Sequence, residues 1–131
     1  MSDNFIQRVK NGQSGAEVLS VESAKATLDS DPSAIVLEVR DPSTLSGTGV
    51  IPGSVCISLG TLFYKADQSL PEGVRDDRLA DKSKPILCTC AKGGQASIAA
   101  GVLKEYGYEN VKVIDGGILG WKAAGYDTEE V

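Results

Sequence analysis

Apolar and polar positions change rhythm several times along this chain. From Ser20 onward, Val21, Ala24 and Leu28 recur at i, i+3 and i+7. That spacing predicts a helix capped by Ser20 and ended at Asp31-Pro32, where proline cannot continue the hydrogen-bond ladder. "AIVLEV", Ala34 to Val39, then runs almost unbroken in apolar and β-branched residues, the pattern of a strand buried on both faces. "VCISL", Val55 to Leu59, predicts a weaker strand and "LFYKA" a short helix, while the charged stretch from Asp67 to Lys84 reads as a surface connection. "PILCTC", Pro85 to Cys90, is a further strand with proline at its first position, where a missing N–H does no harm. Ala99, Val102, Leu103 and Tyr106 share one helical face, so a helix is expected from Gln95 to Tyr106, closed by Gly107. "VKVID", Val111 to Asp115, is another strand, "GG" a turn, and Ile118 to Ala124 a last helix stopped by Gly125.

Strands alternating with helices imply an α/β architecture, a small open parallel sheet of about five strands flanked by helices on both faces. Residues 1–14 are polar and contain glycine, and are expected to form a flexible N-terminal segment. Residues 15–131 are then a single domain, long enough to bury a core without disulfides or metal.

Charge and composition narrow the function. A net charge of -5 argues against a binder of nucleic acid, whose affinity rests on clustered Lys and Arg. No run reaches the roughly 18 apolar residues of a membrane span, and "MSDNFIQRVKNGQSG" lacks the apolar centre of a signal peptide. The expected compartment is a reducing cytoplasm. Three cysteines and no histidine give neither a disulfide framework nor an ordinary zinc ligand set, so no metal or other cofactor is expected.

The candidate chemistry lies in "LCTCAKGGQASIAAGVL", Leu87 to Leu103. Cys90 falls at the carboxyl end of its strand, the edge of an open α/β sheet where ligands gather. The glycines of AKGG let successive backbone N–H groups curl around one point, and the next helix adds its positive dipole end, so an anion or thiolate suits that point. Helix N-termini and neighbouring lysines, such as Lys92, favour thiolate, the attacking form of cysteine. Cys88 points to the same side of the strand and is expected to be core, as is Cys56. A buried, inert Cys90 beside a Gly-rich turn is the structural alternative.

Four separated segments resemble the rhodanese-like single-domain sulfurtransferases. "VLEVRD" is similar to that family's I-D-V-R, "GVIPGSVCI" to G-H-I-P-G-A-x-x-I, and "CAKGGQAS" to its active loop. "VKVIDGGILGWKAAGY" is similar to its closing strand and G-G-x-x-x-W-x-x-A-G segment. The resemblance runs from Glu17 to Tyr126. It implies a rhodanese-like fold in which Cys90 forms a persulfide and Ala91, Lys92, Gly93, Gly94, Gln95 and Ala96 cradle the transferred sulfur. The implied reaction takes sulfane sulfur from thiosulfate or a related small donor and passes it to cyanide, a thiol or a protein acceptor. Lys92 resembles the lysine of thiosulfate-preferring members.

Departures from the family pattern bear on rate and substrate. Gln95 stands where many members carry arginine, Glu38 replaces an aspartate, and Val50 replaces a histidine. Arg40 and Asp41 are expected to pair at the strand end, Trp121 to be core, and Asp115 to form a turn or border the pocket. Two other functions compete. A sulfur carrier or interaction module would use the same fold without turnover, and a related phosphatase would need arginine at the sixth position after the cysteine, where this chain has Ala96. A monomer is expected.

Overall fold

The computed structural model describes residues 4–131. The elements in chain order are α1 (Phe5–Ser14), β1 (Glu17–Leu19), α2 (Val21–Ser30), β2 (Ile35–Glu38), β3 (Val55–Cys56), α3 (Leu59–Lys65), β4 (Ile86–Thr89), α4 (Gly94–Glu105), β5 (Val111–Ile114) and α5 (Gly117–Ala123). Single 3-10 turns, Pro42–Thr44 and Asp77–Leu79, lie in the long connections. The five strands form one parallel sheet in the order β1-β5-β4-β2-β3.

Strand alternation divides the core into two layers. Val36, Leu87 and Ile114 pack with Ala24, Ile118 and Trp121, which brings α2 and α5 onto one face. Leu37, Ile86, Cys88 and Val113 pack with Leu62, Ala99 and Leu103, which brings α3 and α4 onto the other. Side chains such as Leu37, Leu87 and Ile114 are completely buried. Each contributes about 1.5–3 kcal/mol relative to exposure. Trp121 is core as expected, its indole N–H donating to the Asp127 carbonyl at 2.8 Å and its ring meeting Tyr126 edge-on.

The strand order places the functional end of the sheet. β2 is followed outward by β3, whereas β4 returns to the other side of β2 and leads on to β5. The chain therefore reverses direction between β2 and β4, and the segments leaving their carboxyl ends part to form a crevice.

Three expectations are corrected. Over residues 5–14 the N-terminal segment is a helix docked on α4, not a loose tail; residues 1–3 of that segment lie outside the described residues. Asn4 caps this helix by accepting from the Gln7 amide, and Gly12 is buried where a Cβ would run into the Ser97 carbonyl. Small residues at Gly12, Ser97 and Gly101 allow this approach, since interhelical spacing follows the side chains at the contact. β3 is only two residues long and lies at the sheet edge, so Cys56 is exposed rather than core. Arg40 pairs with Glu38, not with Asp41.

Candidate active site

Cys90 follows the last residue of β4 and precedes α4 by a three-residue loop. Its thiol faces the α4 layer, as Cys88 does, and the residue is 3% exposed. The Cys90 Sγ accepts hydrogen bonds from the Gly93 amide at 3.1 Å and the Ala96 amide at 3.3 Å. Two backbone donors at a helix start converge on sulfur, an arrangement that favours negative charge there.

The loop is held from behind by α5. The Ile118 amide donates to the Cys90 carbonyl at 2.8 Å and the Leu119 amide to the Ala91 carbonyl at 3.2 Å. Gly117 makes this possible. Its φ of +56° is left-handed, and a Cβ would run into the Cys90 carbonyl and stand 2.7 Å from that of Ala91. The "GG" turn thus braces the loop, while Asp115 is exposed and lies outside the cavity lining.

A cavity of about 450 Å³ opens over the thiol. Cys90, Ala91, Lys92, Gly94 and Gln95 line one side. Gly93 and Ala96 are buried and meet the sulfur through their amides. Arg40, Asp41 and Thr44 from the segment after β2 line the other side, and Phe5 of α1 completes the rim. The six loop residues expected near Cys90 are therefore brought together, with Lys92 and Gln95 exposed at the mouth.

Arg40 is the hub of the far wall. Its Nη2 donates to Glu38 Oε1 at 2.8 Å and the Gly49 carbonyl at 3.1 Å, and its Nη1 donates to Thr48 Oγ1 at 2.9 Å. Glu38 is fully buried and also accepts from the Arg40 amide at 3.1 Å. Arg40 Nε is buried without a partner. Removing either member of such a buried pair leaves the other charge uncompensated, at a cost of roughly 3–5 kcal/mol. Asp41 instead caps the following 3-10 turn. The Ser43 amide, and then its hydroxyl, hold the Asp41 carboxyl below the usual aspartate range.

Sequence reasoning missed Phe5, Thr44 and the α5 amides, and expected Arg40 and Asp41 only as a structural pair rather than as cavity lining. Phe5 had a signal: Phe5, Val9 and Gly12 follow i, i+4 and i+7, one face of a helix behind a plausible Asn4 cap. The α5 contacts are made by backbone and leave no such mark.

Comparison with known proteins fits this geometry. Residues 20–124 match the rhodanese-like domain. The chain belongs to the rhodanese-like domain family. The thiosulfate sulfurtransferase GlpE of Tolumonas auensis is 30% identical over 104 residues, covering 79% of this chain and 86% of that protein. Among solved structures, a Rhodopseudomonas palustris protein of unknown function, described as a possible tyrosine phosphatase, aligns with a TM-score of 0.89 and 26% identity. It covers 98% of this chain and is itself covered to 96%. The polysulfide-sulfur transferase homodimer of Wolinella succinogenes aligns with a TM-score of 0.75 and 25% identity, over 97% of this rhodanese-like chain and 88% of its own. No helix among the described residues is long and apolar enough to cross a membrane.

Proposed function

We propose that this rhodanese-like protein is a sulfurtransferase in which Cys90 carries sulfane sulfur as a persulfide between a donor such as thiosulfate and a thiophilic acceptor. The observation that carries the reading is the pair of amides, Gly93 and Ala96, aimed at a cysteine sulfur that faces a cavity.

The Cys90 thiolate attacks the outer sulfur of thiosulfate. A sulfur–sulfur bond forms to Cys90, the bond within thiosulfate breaks, and its electron pair leaves with sulfite. Cyanide or a thiolate then attacks the outer sulfur of the persulfide, and the electron pair returns to Cys90. Covalent catalysis divides the transfer into two displacements, and neither step needs an oxidant. The loop amides stabilise the thiolate before attack and the persulfide after it. Lys92 offsets charge on thiosulfate and on departing sulfite. Gln95 supplies amide N–H groups where an arginine would supply charge.

The phosphatase description of the Rhodopseudomonas neighbour motivates a second chemistry. Phosphoryl transfer in such a loop calls for an arginine that grips phosphate oxygens bidentately. Here Gln95 and Ala96 stand in the first turn of α4 where that arginine would be needed, and Arg40 is committed to Glu38, Thr48 and Gly49. Sulfur transfer fits the residues better.

Steady-state thiocyanate formation from thiosulfate and cyanide tests the proposal. Parallel double-reciprocal lines and loss of turnover in Cys90→Ser are expected. Turnover surviving in Cys90→Ser, or hydrolysis of an aryl phosphate faster than sulfur transfer, would contradict it. A persulfide that forms but does not turn over would reduce the protein to a sulfur carrier.

A further inference from the structure

The family match begins at residue 20, beyond α1, yet α1 places an aromatic ring on the rim of the Cys90 cavity. Phe5 is 53% exposed, so its ring is not consumed by the core. It packs on Gly94 in the first turn of α4, where a Cβ would come within 3.1 Å of the ring. Gly94 therefore leaves the ring a seat beside the loop that carries Cys90. Phe5 and Ala91 add apolar surface to the cavity lining, which is mostly apolar.

Charge at the cavity is close to balanced. Arg40 is paired with buried Glu38, which leaves Lys92 and Asp41, of opposite charge, as the other charged lining residues. Lys92 can meet an anionic head group such as that of thiosulfate, and the cavity leaves room for more than a small inorganic anion. Its volume of about 450 Å³ is in the range that holds organic ligands.

We propose that Phe5 is a specificity-determining residue that selects organosulfur donors bearing an apolar, ring-sized substituent. The proposal rests on the sulfur-transfer reading and adds the substrate class. For an arenethiosulfonate, the Cys90 thiolate attacks the outer sulfur, the new bond forms to Cys90, and the arenesulfinate leaves with the electron pair. The substituent lies against Phe5, and no further reactant is needed.

Benzenethiosulfonate and methanethiosulfonate carry the same reacting group and charge and differ in the substituent, so they serve as probes with cyanide as acceptor. Phe5→Ala is expected to lower kcat/KM for the benzene donor about two- to tenfold, chiefly through KM, while the methane donor changes little. Phe5→Leu should fall between. Val9→Ala weakens the same α1 contact with Gly94 without altering the cavity lining, and is expected to leave the ratio of the two donors unchanged. An unchanged ratio in Phe5→Ala, or an equal change in Val9→Ala, overturns the proposal while sulfur still loads on Cys90. If no donor places sulfur on Cys90, the sulfur-transfer reading fails and this proposal with it.

Discussion

Cys88 in β4 and Cys90 just beyond it face the same layer two residues apart, yet only Cys90 meets the cavity. Burial, with the neighbouring Cys90 adding to it, pushes the Cys88 thiol up to about 12, so it stays protonated and inert near neutral pH. Cys56 is exposed, and partial burial followed by the charge of Glu38 pushes its thiol up as well. Iodoacetamide at pH 8 is therefore expected to spare Cys88 in the folded protein and to reach it only after unfolding, as peptide masses would show. Early labelling of Cys88 would mean that the β4 layer opens. The role proposed for Lys92 rests on charge at an exposed position, where such interactions are modest. Lys92→Ala should raise KM for thiosulfate, a dianion, about two- to fivefold, with a smaller change for the singly charged methanethiosulfonate. Equal losses for both would refute the charge role.

At the scale of elements, α1 and α5 do what the active loop cannot do alone. α5 anchors the carbonyls of Cys90 and Ala91, and α1 supplies the rim. Gly12→Ala is expected to push α1 off α4, because the added methyl meets backbone at Ser97 that cannot swing away. The cost is about 1–3 kcal/mol of overpacking, read as a lower unfolding midpoint and faster hydrogen exchange in α1. Unchanged protection of α1 amides would contradict the docking. Periodicity revealed α2, α4 and the three strands β2, β4 and β5, because each buries a patterned face. β1 was illegible since three edge residues set no period, and α1 was only faintly marked because its docking face, Phe5, Val9 and Gly12, ends on a glycine instead of continuing as a hydrophobic stripe. Cys90 and its loop were legible from the Gly-rich junction, whereas the Glu38–Arg40 pairing was not, since sequence proximity equally suggested Asp41.

Across the whole molecule, four connections repeat one device. Asp31, Asp41, Asp67 and Asp81 each accept from the amide and hydroxyl of the serine two residues on. These bonds lower all four carboxyl pKa values; the serine hydroxyl leads at Asp31, Asp67 and Asp81, and the amide at Asp41. A depressed folded pKa stabilises the fold above the ordinary aspartate value, and that stabilisation is lost as pH falls through the lower folded values. The unfolding midpoint should drop below about pH 4, and Asp81→Asn should flatten that slope. An identical slope in the variant would place acid sensitivity elsewhere. The reversal of strand order between β2 and β4 sets the Asp41 connection opposite the Cys90 loop across one cavity, where the proposed chemistry would occur. The most direct test of that chemistry is the intact mass of the protein after thiosulfate treatment without acceptor. One added sulfur, about 32 Da, on the Cys90 peptide, absent in Cys90→Ser and removed by cyanide, is the expected result. An unmodified Cys90 after exposure to thiosulfate, organic thiosulfonates and hydropersulfides would contradict the account.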